Sequence, residues 1–381
     1  MTGDGRANGG PASGDPLIPS SPVAPGPLIP SSPVAPGMVS PSSPVAPSMV
    51  IRTSPVAAGG VAGDEPVVLD AMGGDHGPGE TVAGAVDAWR AHGVPVVLVG
   101  RAPELERELA RHGADLPIVH APDVVPMSER GASGRGGPAT SLTVGCDLVR
   151  RQEGGAFVSA GSTGAVVSEA VRAIGRAPGV LRPALAVALP ALTGGASVLV
   201  DAGATADPTP QMMAQFALLG TGYARAVLGV PDPVAGLLSI GSEPGKGNRL
   251  AVRASQALQR LPLRFHGNVE GHDVLTGLVD VIVTDGFTGN VVLKNVEGCV
   301  RTALTMVAQA GIAEPGRLSE VARRYDPQTH GGAALLGLRS VVVIAHGSST
   351  AATISRACVV ACALARENLA ARIAVAAVEP V

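Results

Sequence analysis

Lysine occurs at only two of 381 positions, Lys246 and Lys294, while 26 arginines carry the rest of the strong positive charge. Both lysines fall in or just after turns rich in glycine and asparagine. One turn runs Gly241-Ser-Glu-Pro-Gly-Lys246-Gly-Asn248; the other runs Asp285-Gly286-Phe-Thr288-Gly289-Asn290, with Lys294 a turn of helix later. A compact ammonium suits a phosphate or a developing oxyanion. Five more turns share this character. They are Asp70-Ala-Met-Gly73-Gly74-Asp75, Gly161-Ser162-Thr163-Gly164, Asp201-Ala-Gly-Ala-Thr205, Gly267-Asn268-Val-Glu270 and His346-Gly347-Ser348-Ser349. Small residues let backbone amides approach an anion closely, and a helix start adds a favourable dipole. Ser and Thr add further donors. Each turn alone has an ordinary reading: Asp285 at a strand end can cap the next helix, and a histidine can satisfy a backbone carbonyl.

The elements that would hold these turns are legible as apolar runs. Pro66–Ala71 reads as a strand, followed by a helix from near Pro78 to Gly93, with proline early and glycine just past the end. Strand Pro95–Gly100 and helix Pro103–His112 repeat the unit. Further strands are expected at 156–160, 184–190, 197–201, 234–240, 279–285 and 340–345. Several lack polar alternation, as strands covered on both faces do. The expectation is an α/β domain on a mainly parallel sheet, whose ligands bind beyond the carboxyl ends of strands. The seven turns are therefore expected to close around one cavity.

Composition narrows the classes. The chain is 46% hydrophobic but only 2% aromatic, so Ala, Val and Leu must build the core. A net charge of −3 argues against a general nucleic-acid binder. Four cysteines without a CxxC pair fit a reducing cytoplasm, and Cys358 and Cys362 read as core packing. No uninterrupted apolar run reaches membrane-spanning length. No ligand spacing indicates a metal site, and the P-loop, GxGxxG, GxSxG and HExxH signatures are absent. Residues 1–65 differ from the rest: Ser-Ser-Pro-Val-Ala-Pro starts at Ser20, Ser31 and Ser42, with a worn copy at Thr53. Such proline density with so little apolar bulk predicts a disordered leader, and Met49 is an alternative first residue. The catalytic domain is then 66–381.

Read in order, these blocks resemble the bacterial phosphate acyltransferases that act on acyl carrier protein thioesters. The resemblance runs through Leu69–Asp75, Ser159–Gly164, Arg182–Leu185, Gln215–Ala217, Gly236–Gly241, Gly267–Gly271, Asp285–Asn290, Gly331–Ala333 and His346–Ser349. It implies a three-layer αβα fold of the isopropylmalate dehydrogenase and phosphate acetyltransferase group, usually a homodimer, with no metal or organic cofactor. It also implies acyl transfer from carrier protein to inorganic phosphate, the product passing to a membrane glycerol-3-phosphate acyltransferase. Alternatives are a short-chain enzyme using coenzyme A thioesters, a dehydrogenase of the same fold, and a scaffold that has lost catalysis. Several positions depart from the family pattern. Ser162, Ser239 and Thr205 stand where asparagine is common, Arg130 and Arg135 are the only cations of a segment usually rich in lysine, and the 298–325 stretch, which contacts partner and membrane in relatives, is short. In the expected site, phosphate sits among the amides of Gly161–Gly164 and His346–Ser349, and Lys246 or Lys294 offsets its charge. Asn268 or Asn290 donates to the thioester oxygen, His346 protonates the leaving thiolate, and an arginine patch at Arg172, Arg176 and Arg182 meets the carrier.

Overall fold

The computed structural model describes residues 65–129, 139–313, 315–325 and 331–373. Residues 1–64 of the proline-repeat leader and the segment with Arg130 and Arg135 lie outside the described residues. In chain order the elements are β1 (Val67–Asp70), α1 (Gly79–His92), β2 (Val96–Gly100), α2 (Ala102–Arg111), β3 (Ile118–His120), α3 (Ser141–Arg150), β4 (Ala156–Ser159) and α4 (Thr163–Ala173). Next come β5 (Ala184–Pro190), β6 (Ala196–Val200), α5 (Pro210–Val227), β7 (Val234–Leu238), α6 (Arg249–Leu258), β8 (Arg264–Val269) and β9 (Val281–Val283). The chain closes with α7 (Gly286–Gln309), α8 (Pro315–Tyr325), β10 (Ala333–Leu336), β11 (Val341–Ile344), α9 (Ala351–Arg366) and α10 (Leu369–Arg372).

Local chemistry explains the boundaries. Pro78 precedes α1, and Gly93 ends it in the left-handed region at φ 65°, returning its amide to Ala88 and Trp89 carbonyls. Thr209 caps α5 by accepting from Met212 N, with Pro210 at the first helical position. Three strands escape the sequence reading. β3 and β10 are short, and β8 carries Arg264 and His266 on exposed positions, so none offers a long apolar run.

The eleven strands form one sheet ordered β3-β2-β1-β4-β11-β10-β5-β6-β9-β7-β8. Helices cover both faces, and two apolar clusters lie on either side of it. Phe157 and Phe216 are the only fully buried aromatics among the largest core side chains; Leu, Ile, Val and Ala fill the rest. Burying each aliphatic side chain contributes about 1.5–3 kcal/mol. Cys146, Cys358 and Cys362 are buried within this packing.

Strand direction corrects one expectation. Within β1–β4 and β11 every pairing is parallel, but β10 is antiparallel to both β11 and β5, and β5 is antiparallel to β6. Strands β6, β9, β7 and β8 are parallel to one another. The second half of the sheet therefore runs opposite to the first. The turns after β1, β4 and β11 lie at one end of the sheet; those after β6, β7, β8 and β9 lie at the other. The seven turns therefore do not share one end of the sheet, and α7, which starts at the β9 turn, links the two groups by carrying Lys294 to His346. The reversal arises from three antiparallel pairings that apolar strand composition does not encode.

Candidate active site

At the first end, three turns interlock. The Asp75 amide donates to the Gly347 carbonyl at 2.8 Å, joining the β1 and β11 turns. Gly74 has φ +94°, and a Cβ there would stand 3.0 Å from the Gly347 oxygen. A Cβ on Gly73 would come within 2.9 Å of the Gly161 nitrogen, so the β1 and β4 turns touch as well. Glycine at these positions permits backbone contact that any side chain would block.

A fourth contribution arrives from the other half. The α7 helix starts beyond β9 and runs back along the sheet, bringing Lys294 to His346 with Nζ and Nε2 3.1 Å apart. Glu297, one turn further, accepts from the same Nζ at 2.9 Å. Both ring nitrogens of His346 face donors: Nε2 faces the Lys294 ammonium, and Nδ1 faces the Ser348 amide, whose N–H points at it from 3.2 Å. Nδ1 also lies 2.8 Å from Ser348 Oγ. The result is a line Glu297–Lys294–His346–Ser348. Next to it, Ser349 is 3% exposed and its hydroxyl has no hydrogen-bond partner among the described residues. A buried orphan hydroxyl in a turn of this kind is a ready donor for a bound group.

The two helix starts nominated as anion cradles are not equivalent. At α9, the Ala351 amide already donates to the Glu80 carboxylate of α1, which places negative charge where a phosphate would sit. At α4, Ser162 supplies no side-chain cap and the first turn holds no acidic residue. Gly161 N is turned inward to Ser159 Oγ at 3.0 Å, and Ser162, Thr163 and Gly164 are partly or fully exposed. The α4 start is the open anion position of the pair.

At the opposite end of the sheet the remaining candidates hold backbone. Asp201 is fully buried and accepts from the amides of Leu185, Gly203, Ala204 and Thr205 at 2.7–3.0 Å. Burial pushes its carboxyl above the usual range, against the opposing pull of those four amides. Asp285 caps α7, accepting from the Thr288 amide and hydroxyl, each at 2.8 Å. Asn248 caps α6 through Ala251 N at 2.8 Å, and Glu270 starts a short 3-10 turn with Asp273. A Cβ on Gly286 or Gly289 would strike the Thr205 or Asp201 carbonyl, so glycine here lets α7 pack onto the β6 turn. Asn268 directs Nδ2 at the carbonyls of Gly241, Glu243 and Lys246, 3.1–3.3 Å away, and is 7% exposed. This geometry removes it as a donor to a thioester oxygen. Lys246 is exposed on the turn that Asn268 holds, and Asn290 is exposed beside Gly203. Lys246 lies at the end of the sheet opposite the Gly161 turn, whereas Asn290 stands one helical turn before Lys294 on α7, beside the lysine that meets His346. In the arginine patch, Arg172 pairs with buried Glu169 at 2.9 Å, and Arg176 binds the carbonyls of Val180 and Leu181. Arg182 is exposed. Sequence reasoning missed Glu297, whose spacing of three from Lys294 was an available signal, and Glu80, whose contact with Ala351 spans 271 residues.

The sequence model described as "fatty acid synthesis protein" matches residues 66–372. The chain is 50% identical over 303 residues to the phosphate acyltransferase of Thermobifida fusca, covering 75% of this chain and 84% of that one. The chain belongs to the phosphate acyltransferase family. A second relative, a phosphate acyltransferase of Thermus thermophilus, is 44% identical over 310 residues, 78% of this chain and 94% of that one. Among solved structures, a phosphotransacetylase from Streptococcus pyogenes superposes with TM-score 0.56 at 19% identity, over 80% of this chain and 94% of that chain. The EutD phosphotransacetylase from Staphylococcus aureus gives 0.52 at 16%, over 80% and 95%. These likenesses establish the α/β fold that the sequence implied. Among the described residues of this phosphate acyltransferase chain, no helix is long and apolar enough to cross a membrane.

Proposed function

We propose that the chain transfers a fatty acyl group from an acyl carrier protein thioester to inorganic phosphate, with the reaction at the end of the sheet that carries Gly161–Gly164. Acyl transfer to phosphate follows from the family; the carrier-protein donor and the onward use of the product in glycerol-3-phosphate acylation are the finer parts of the proposal. The observation that carries the location is the uncapped α4 start, joined by direct contacts to the turn that meets Lys294.

Phosphate is itself the nucleophile, so no enzyme-bound acyl intermediate is required. One phosphate oxygen attacks the thioester carbon, the C–S bond breaks, and the proton carried by hydrogen phosphate ends on the departing thiol. The chain's part is to hold an anion beside the carbonyl and to offset charge in the tetrahedral state. The Ser162, Thr163 and Gly164 amides hold phosphate, Lys294 neutralises it, and Ser349 and Ser348 donate hydroxyls. His346 holds Lys294 through Nε2 and the Ser348 hydroxyl through Nδ1. A homodimer and peripheral membrane contact belong to the same proposal; exposed Phe287, Val291 and Met306 on α7 and Ile312 beyond it supply an apolar surface for them.

The test incubates purified protein with palmitoyl carrier protein and labelled orthophosphate and looks for labelled acyl phosphate. Palmitoyl and acetyl coenzyme A at equal concentration form parallel arms. Turnover mainly with the carrier thioester supports the reading. A folded protein that turns over none of the donors overturns it in favour of a scaffold, and preference for acetyl coenzyme A overturns the donor assignment.

A further inference from the structure

Asp70 is one of the few charged side chains at the centre of the sheet, 1% exposed at the end of β1, and Ser159 at the end of β4 is completely buried. The two are 89 residues apart in sequence, and Ser159 Oγ donates to Asp70 Oδ2 at 2.7 Å. The other carboxylate oxygen accepts from the Met72 amide at 3.2 Å. A serine hydroxyl has one proton and two lone pairs. With the proton committed to a carboxylate, a lone pair faces the Gly161 amide, which donates at 3.0 Å. That amide is the only one of the Gly161–Gly164 turn drawn inward. Ser162, Thr163 and Gly164 follow at a helix start with no side-chain cap, and all three are partly or fully exposed.

We propose that Asp70 and Ser159 are positioning residues that fix the orientation of the phosphate-holding turn. This rests on the phosphate location proposed above. Asp70 touches no substrate: a carboxylate buried behind the turn would repel an anion it met directly. Its charge acts through the direction of one hydroxyl. Burial pushes the Asp70 carboxyl above its usual range while hydrogen bonds from Ser141, Ser159 and the Met72 and Gly73 amides oppose the shift. The sheet thus holds an acid group in an unfavourable setting, with donors arranged around it.

The test compares Ser159→Ala, Asp70→Asn and the double variant. Asparagine has the shape of aspartate, but either orientation of its amide leaves one buried donor, Ser159 O–H or Met72 N–H, without its acceptor. Each single variant is expected to raise KM for phosphate about tenfold, the scale of one charge-assisted hydrogen bond. KM for the acyl donor and kcat should stay within about threefold, since neither depends on this turn's orientation in the free enzyme. Because both residues act through one amide, the double variant should also stay near tenfold instead of multiplying toward a hundredfold. If Ser159→Ala does not fold, the Asp70→Asn kinetics decide alone. Stabilisation of the protein against heat by millimolar phosphate is measured in parallel and should be weakened in the variants. It reads phosphate binding without turnover, so it still tests the positioning role should the acyl donor be misassigned. Unchanged phosphate KM in the folded variants, an equal rise in both KM values, or multiplicative effects in the double variant would each overturn the proposal.

Discussion

Replacing Lys294 by alanine separates the two lysines that the sequence could not rank. At about 4 Å, an ammonium and a unit negative charge attract by ~1 kcal/mol in bulk water and ~4 kcal/mol at an effective dielectric of about 20. The Lys294 side chain is 46% exposed, so solvent screening keeps the value toward the lower end. A loss of ~1.5–2 kcal/mol corresponds to about a 10- to 30-fold fall in kcat/KM for phosphate. Stability should barely change, because a partly exposed i,i+3 pair such as Lys294–Glu297 contributes only about 0.3–0.5 kcal/mol. The assay is steady-state acyl phosphate formation at varied phosphate, with thermal melts as the control. Lys246→Ala is the matched comparison; its side chain sits at the opposite end of the sheet, and its kcat/KM should remain within about twofold of wild type. Raising ionic strength should shrink the Lys294 effect. Activity of Lys294→Ala within twofold of wild type, or a larger loss in Lys246→Ala, refutes the placement of the site.

Three further outcomes follow from the same geometry. Asn268→Ala should lower unfolding free energy by about 1–3 kcal/mol through its lost contacts with the 241–246 turn, and leave kcat/KM within about threefold; a hundredfold activity loss with unchanged stability would return Asn268 to the substrate. In the native protein a thiol reagent should modify one cysteine, Cys299, and leave the three buried ones unreacted until denaturant is added; burial pushes the Cys358 thiol up to about 12, so it is not a thiolate at neutral pH. Asp201 titrates above its usual 3.8 in the folded state, so folding stability that Asp201 contributes is greatest below that value and is lost as pH rises through the raised one. The stability of wild type relative to Asp201→Asn should therefore improve on acidification toward pH 4, measured by denaturant titration at several pH values; a pH-independent difference contradicts the assignment.

What can be read from sequence divides by physical cause. Pro78 and Gly93 bracket α1 because backbone chemistry at those residue types is local, and the strands beside them are apolar for the same local reason. The direction of β10 and the β5–β6 pairing is not local: an apolar run has the same composition whether its neighbour is parallel or antiparallel. That is why the sequence predicts one cavity with seven turns and the structure holds two groups of turns. The Lys294–His346 contact joins residues 52 apart. Each stands out from its own turn, but their meeting depends on the path of α7 across the sheet. Asp285, Asn248 and Asp201 show the converse ambiguity. A carboxylate or amide beside a glycine-rich turn serves a ligand or a helix start equally well, and only the position of the acceptor atoms tells which.

The distribution of helix starts turns that ambiguity into an argument. Thr140, Thr209, Asn248 and Asp285 cap α3, α5, α6 and α7. Glu80 and Glu104 place a carboxylate in the first turns of α1 and α2, and Glu80 also meets the first amide of α9. Each of these starts already has its positive end answered by the protein's own oxygen. The α4 start, like that of the single-turn α10, has neither a capping side chain nor an acid in its first turn, although a serine stands at the capping position. Leaving a helix start without its cap costs about 1 kcal/mol, and here the bare start lies at the end of the sheet to which α7 brings a lysine from the other half. An anion bound there would supply the missing acceptor, so phosphate should stabilise the folded chain and do so less in Lys294→Ala. A melt that is insensitive to phosphate would leave the bare α4 start without a physical reason, and the site would have to be sought at the opposite end of the sheet, around Lys246.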